Sequence, residues 1–258
     1  MKNYIIKGLQ EFEDAFGNNM KDCFDSGDYG SGYEIVERDD GQFTLNGDSN
    51  AYFEGFEDWT DLQKNASKIV KGTVLDIGCG AGKHSLYFQG KGLDVYAMDN
   101  SSLAIDICKK QGIKNTILCD VNHFDKFDEA IKFDSILLWG NNFGLLQNES
   151  FFYYFLNLLQ NFSNQGTKIF LESMDPFGFG FKDADTVKYI KHNLRQKKMA
   201  GQINVRIRYK KYVTPWQDYV FASKDELKKM LLNTNWRIEE TLEAPSENQY
   251  IAILKQKQ

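Results

Sequence analysis

The chain has 258 residues, of which 42% are hydrophobic, 14% aromatic and 26% charged, with only three prolines. That length and balance suit one full domain with embellishments and exclude a disordered chain. A formal net charge of −5 argues against a nucleic-acid partner, and no long uncharged apolar run offers a transmembrane helix.

Residues 1–70 are the least regular and are expected to form an N-terminal extension or lid. The opening MKNYIIKGLQ has neither an extended apolar region nor a small-residue cleavage site, so it does not read as a signal peptide. Turn clusters at 39–41 and 47–50 interrupt the segment, and 57–69 reads as a helix. From residue 70 strands and helices alternate. TVLDI (73–77) is the first buried strand, and a helix follows over 82–90. LDVYAMD (93–99) is the second strand, and Ser101 caps a helix to about Lys110. KNTILC (114–119), FDSILLW (133–139) and TKIFLES (167–173) are the third to fifth strands, with an aromatic helix over 149–163. This alternation predicts a parallel sheet with right-handed crossovers.

After the fifth strand the pattern changes. Residues 176–222 form an insert expected to cover the active site or mediate contacts: a loop over 176–186, then a hairpin with arms at 187–198 and 202–213 around Ala200-Gly201. In the second arm Ile203, Val205, Ile207 and Tyr209 alternate with Asn204, Arg206, Arg208 and Lys210, giving a basic outer face. Ser223 with Glu226 makes a capping box for the next helix. WRIEETLEA (236–244) and QYIAILKQ (249–256) close the chain as an antiparallel pair, so 71–175 and 223–258 make up the main domain.

The cysteines Cys23, Cys79, Cys108 and Cys119 have no CxxC spacing and read as reduced, buried thiols of a cytoplasmic protein. His84, His123 and His192 have no zinc-motif spacing, so no metal site is expected. Charge is polarised. Residues 11–61 hold fifteen acids against two bases, and residues 182–211 hold ten bases against two acids. The two segments are expected to attract, within one chain or across a homodimer.

VLDIGCGAGKHSLYF (74–88) carries the most information. A buried strand ends near Asp76, then Gly78, Gly80 and Gly82 follow at alternate positions, and a helix begins. Glycines let the backbone pass beneath a ligand, and the helix start adds a positive field. Gly78-Cys79-Gly80-Ala81-Gly82 is one residue shorter than the dinucleotide fingerprint. Asp76 suits a carboxylate facing an ammonium group. Asp99, followed by Asn100, ends the second strand and can accept the hydroxyls of a ribose. Asp120, followed by Val121, ends the third and can meet an adenine amine. Three acids at the carboxyl ends of successive parallel strands describe S-adenosylmethionine better than NAD.

VLDIGCGAG, VYAMD, CDV and FDSILLWGNNFGLL resemble, in order and spacing, the motifs of class I S-adenosylmethionine-dependent methyltransferases. The match covers about residues 72–173, and 223–256 resembles the family's closing hairpin. The flanks at 33–42, 51–59 and 214–223 resemble a bacterial subgroup of unassigned acceptor. The resemblance implies an α/β, Rossmann-like seven-stranded sheet of order 3-2-1-4-5-7-6, strand seven antiparallel, with helices on both faces. It implies that Asp76, Gly78, Cys79, Gly80 and Gly82 hold the methionine end, Asp99 and Asn100 the ribose, and Asp120 and Val121 the adenine. Trp139, Gly140 and Asn141 are then expected beside the methionine moiety.

Methyl transfer needs alignment more than protein chemistry, because the cofactor supplies the reactivity. His84 and Asn142 are the candidates for a catalytic role. The turn Trp139-Gly140-Asn141-Asn142-Phe143-Gly144 lacks the Asn-Pro-Pro-Tyr pattern of amide or adenine methylation, and no Pro-Cys nucleophile is present. These features favour a small-molecule acceptor, methylated at O, N or C. Aromatic residues crowd the expected lid, among them Phe177, Phe179 and Phe181. Tyr52, Trp59, Asn142 and Trp216 are expected to line the acceptor pocket. Two other readings stay open: a nucleic-acid or protein methyltransferase using the basic face of Arg195, Lys197, Lys198, Arg206, Arg208 and Lys210, and a non-catalytic S-adenosylmethionine-binding protein.

Overall fold

The computed structural model describes residues 2–178, 182–244 and 248–257. Phe179 and Phe181 lie outside the described residues. In chain order the strands are β1 (Lys2–Lys7), β2 (Tyr33–Arg38), β3 (Phe43–Gly47), β4 (Thr73–Ile77), β5 (Asp94–Asp99), β6 (Asn115–Cys119) and β7 (Phe133–Leu138). They continue with β8 (Ser163–Met174), β9 (Gly201–Tyr209), β10 (Tyr212–Val213), β11 (Gln217–Phe221), β12 (Trp236–Ala244) and β13 (Gln249–Gln256). The helices are α1 (Ala15–Ser26), α2 (Asp61–Ser67), α3 (Lys83–Gly90), α4 (Ser102–Lys110), α5 (Glu149–Gln160), α6 (Ala184–Arg195) and α7 (Lys224–Leu231). The expected α/β architecture is the one observed. No helix among the described residues is long and apolar enough to cross a membrane.

The chain divides into two compact units. The first comprises Met1–Trp59, Thr73–Asp128 and Asn204–Gln217. Its parallel strands run in the order β1-β6-β5-β4. β4 is buried at every position after Thr73, Asp76 included, because a parallel strand is covered on both faces. Ala97 of β5, Ile105 and Cys108 of α4, Ile113 and Cys79 form one buried cluster. Met20 of α1 joins Ala81, Ala104 and Ile107 in another.

β1 departs from the expected extension. Lys2–Lys7 pairs with β6, from Lys2 opposite Asn115 to Lys7 opposite Cys119. The Tyr4 ring meets Phe127 edge-on at 5.0 Å. Along β1 Tyr4 and Ile6 are half-buried while Ile5 between them is 76% exposed, so the run Tyr4-Ile5-Ile6 lacks the apolar-polar alternation that marks a half-buried strand.

A second sheet in this unit runs β10-β9-β2-β3. Here the opposite charges of the sequence meet. Glu37 on β2 accepts from Arg206 Nε at 2.6 Å, Arg206 Nη2 at 2.8 Å and Arg208 Nε at 2.6 Å. Lys210 Nζ donates to Asp22 of α1 at 2.7 Å. The Arg206 guanidinium, with Arg208, holds the Glu37 carboxyl down to about 2. Part of the attraction expected from charge is therefore made within the chain.

The second unit comprises Thr60–Gly72, Glu129–Ile203 and Asp218–Gln258. Its strands run β7-β8-β13-β12, with β7 and β8 parallel and β13 antiparallel to both neighbours. The buried Trp236 of β12 donates its Nε1 hydrogen to Leu156 O of α5 at 3.0 Å. The capping box at the start of α7 is present, with Ser223 and Glu226 bonding reciprocally.

The expected hairpin arm over 187–198 is instead helical. Asp183 caps α6 through Thr186 N at 2.8 Å, and Ile190 is buried on its inner side. Asn193 Nδ2 then donates to Ala200 O and Gln202 O, fixing the turn into β9. The spacing of Val187, Ile190 and Leu194 is helical, and it outweighs the turn signal of Ala200-Gly201. The hairpin of this region is β9 with β10, Tyr209 opposite Tyr212.

Candidate active site

In the first unit the glycine loop joins β4 to α3. Gly78, Gly80 and Gly82 all have positive φ, at 72°, 54° and 89°. Gly78 N and Cys79 N both donate to Met98 O, at 2.8 and 3.0 Å, which stitches the loop to β5. From the other side Cys108 Sγ donates to Gly80 O at 3.3 Å, and Gln111 Nε2 to Ala81 O at 2.6 Å. The Cys79 and Cys108 sulfurs lie 3.9 Å apart.

Asp99 is the pivot. Its Oδ2 accepts from Gly80 N at 2.9 Å and its Oδ1 from Ser101 N at 2.9 Å. One carboxylate thus ties the glycine loop to the turn after β5. Asn100 Nδ2 reaches Asp120 Oδ2 at 3.4 Å, so the ends of β5 and β6 meet. Asp120 Oδ1 caps the 3-10 turn that starts at Val121 by accepting from Asn122 N at 2.8 Å. The structure therefore gathers Asp99, Asn100, Asp120 and Val121 along one rim with the glycine loop.

Asp76 is placed beneath that rim. It is 1% exposed, and its Oδ2 accepts from Ser85 Oγ at 2.7 Å. Burial pushes its carboxyl up from 3.8 to about 6, against the pull of Ser85. Asp99 is likewise pushed up to about 6 by loss of solvent, against the N–H groups of Ser101 and Gly80. A carboxyl raised in the folded state stabilises the fold below its unfolded value and loses that contribution as pH rises through the folded value. Between pH 3.8 and about 6 Asp76 therefore becomes a cost. Asp76→Asn removes the charge and keeps an acceptor for Ser85. It is expected to raise the stability of the ligand-free protein at pH 7.5, by up to about 3 kcal/mol. The gain should vanish towards pH 4. Urea midpoints at both pH values test this, and a gain independent of pH would refute it.

The other candidates of this unit separate. Tyr52 stands at the loop: a Cβ built on Gly80 would lie 3.4 Å from its ring. Trp59 is 3% exposed and meets His84 edge-on at 4.7 Å, inside a cluster with Phe56, Tyr87 and Phe88. Burial, reinforced by Lys83, pushes His84 well below its ordinary value, so it is neutral at pH 7 and a weak base. Trp216, in the connection between β10 and β11, is 42% exposed, with its ring 4.6 Å from the Arg206 guanidinium of β9. Sequence reasoning missed two buried carboxylates here. Asp14 accepts from Ser101 Oγ at 2.6 Å and caps α1 through Gly17 N at 2.8 Å. Glu34 accepts from Tyr52 Oη at 2.7 Å.

Within the second unit Trp139 is 1% exposed and packs edge-on to Phe170. Gly140 N donates to Glu172 Oε2 at 2.8 Å, and Gln63 Nε2 joins the same oxygen at 3.0 Å. Asn141 sits at φ 65°, and its carbonyl accepts from Tyr219 Oη. Its side-chain oxygen is buried with no hydrogen-bond partner among the described residues. Asn142 opens a 3-10 turn over Asn142–Leu146. Glu172 was a further omission; its signal is a lone acid at the end of the buried run TKIFLES.

Residues 74–166 match the family model of a methyltransferase domain. Among solved structures, an S-adenosylmethionine-dependent methyltransferase from Bacteroides fragilis, in complex with S-adenosyl-L-homocysteine, is 22% identical. The match has a TM-score of 0.81 and covers 97% of this chain and 98% of that one. The CcbJ methyltransferase from Streptomyces caelestis is 12% identical with a TM-score of 0.55, covering 74% of this chain and 92% of that one. An S-adenosylmethionine-dependent methyltransferase from Methanosarcina mazei is 18% identical with a TM-score of 0.56, covering 76% and 99%. No curated protein sequence matches the chain. The chain thus carries a methyltransferase domain in the Rossmann-like methyltransferase fold.

Proposed function

We propose that this protein is a cytoplasmic S-adenosylmethionine-dependent methyltransferase that transfers a methyl group to an O, N or C atom of a small-molecule acceptor. The supporting observation is the rim of the first unit. One carboxylate, Asp99, holds Gly80 N and Ser101 N, with Asn100 and Asp120 beside it. In this reading Asp99 and Asn100 take the ribose, and Asp120 and Val121 the adenine. Gly78, Cys79, Gly80 and Gly82 carry the methionine end, with the Asp76 charge beneath them. When bound, the cofactor supplies an activated sulfonium methyl; the protein orients and excludes water.

A small acceptor is favoured because the strand part of the basic face is already engaged. Arg206 and Arg208 pair with Glu37, and Lys210 with Asp22. Phosphate contacts by these side chains would have to break those pairs. Calorimetry with S-adenosylmethionine, S-adenosylhomocysteine and NADH tests the cofactor. Binding of the first two and not the third is expected; NADH binding alone would overturn the proposal.

A further inference from the structure

The first unit contains a cavity of about 500 Å³ whose lining includes Glu34, Asn46, Asp48, Ser49, Ala51 and Tyr52. Tyr52 is shared between this cavity and the glycine loop, since its ring borders Gly80. Glu34 is 5% exposed. Both of its hydrogen bonds fall on one oxygen: Tyr52 Oη donates to Oε1 at 2.7 Å and Asn19 Nδ2 donates to Oε1 at 3.2 Å. The second oxygen, Oε2, has no donor among the described residues, yet it is not among their sealed, unpaired atoms. It therefore faces open space, and the space Glu34 borders is the cavity. Oε2 is thus open to a donor from a bound molecule, while Oε1 is held in place by Tyr52 and Asn19. Ser49, 3% exposed, is fixed by Asn19 Nδ2 at 2.9 Å, so this wall is built rather than loose.

We propose that this cavity takes an amine-bearing methyl acceptor, and that Glu34 is the carboxylate that holds the amino group and removes its proton. The inference rests on the methyltransferase reading above. Glu34 and Asp48 are the charged groups of the lining, and no lysine or arginine lines it among the described residues. An ammonium is attracted there and a carboxylate or phosphate is repelled. The acceptor enters protonated. Its proton passes to Glu34, and the freed lone pair on nitrogen forms the new N–C bond. The C–S bond of the sulfonium breaks as this bond forms, and its electron pair stays on sulfur. The methylated ammonium leaves, and Glu34 returns its proton to solvent. Burial raises the Glu34 carboxyl above its ordinary range, against the hydrogen bonds from Tyr52 and Asn19. That shift narrows the gap to an alkylammonium and eases the proton transfer.

The test uses the full chain saturated with S-adenosylhomocysteine, with binding first verified by calorimetry. A fragment set of primary amines, such as benzylamine, phenethylamine and putrescine, is compared with the matched alcohols by ligand-observed NMR. The amines are expected to bind and the alcohols are not. Glu34→Gln, which keeps the Oε1 acceptor, should weaken amine binding roughly ten- to a hundredfold and leave S-adenosylhomocysteine binding intact. Asp48→Asn, at an exposed position, should weaken it about two- to fivefold and serves as a variant with little risk to folding. Failure of S-adenosylhomocysteine to bind the wild type would sink the methyltransferase reading itself. If it binds while no amine does, or if amines bind Glu34→Gln as well as wild type, the amine assignment is wrong and the cofactor reading stands.

Discussion

Replacing Asp99 by alanine is expected to weaken S-adenosylhomocysteine binding by about 1–3 kcal/mol, roughly five- to 150-fold. Two losses add. The ribose hydroxyls lose a charged acceptor, and the glycine loop loses its tether. Gly80 N and Ser101 N both donate to this carboxylate at 2.9 Å, so the variant leaves two N–H groups without their partner. A mobile loop then pays an ordering cost at binding. Asp120→Ala is the comparison. Its carboxylate holds Asn122 N and Nδ2 in a short turn and takes a 3.4 Å contact from Asn100, but no bond from the glycine loop, so its loss should weaken binding less. Calorimetry on both variants decides the matter. Equal affinity of Asp99→Ala and wild type would remove the ribose assignment.

The parts of the fold that were legible are those specified locally. The glycine loop is written in consecutive residues, and its neighbours β4 and α3 follow from an apolar run and a helix start. Ser101 and Ser223 announce their helices because a cap and its partner lie within three residues. What failed needed a partner far along the chain. β1 is a strand because β6 offers an edge 113 residues away, as Thr116 Oγ1 bonding Asn3 Oδ1 shows. Glu34 reads as one more acid in an alternating stretch; only the fold turns it inward onto Tyr52 and Asn19. The charge asymmetry lies between these cases. Composition foretold that the acidic and basic segments meet, and only the register of β2 against β9 made Glu37 the acid opposite Arg206. Aromatic residues were the poorest guides, because a ring on a core wall and a ring on a pocket wall have the same sequence signature. Trp59 took the first role and Tyr52 borders the cavity.

The second large effect is expected at Gly82. Its φ is 89°, where an L side chain is strained by about 1–2 kcal/mol. A Cβ there would also lie 2.4 Å from Ile113 Cδ1 and 2.9 Å from Cys108 Sγ, inside the buried cluster under the loop. Overpacking of this kind costs about 1–3 kcal/mol more. Gly82→Ala should therefore destabilise the protein by about 2–5 kcal/mol in urea unfolding. Gly80→Ala separates the two causes. Its φ is also positive at 54°, but its Cβ would meet only the Tyr52 ring at 3.4 Å and Met20 Sδ at 3.6 Å, ordinary contacts. It should lose the backbone share alone, about 1–2 kcal/mol. Ile113→Val removes the Cδ1 atom that the new methyl would strike. In the Gly82→Ala background this second change should recover part of the steric loss, although alone it costs about 1 kcal/mol by leaving a small void. A double-mutant cycle with favourable coupling confirms that Gly82 is required by the core beneath it. Simple additivity would instead place the whole requirement in the backbone turn, and would leave Gly80 and Gly82 equivalent.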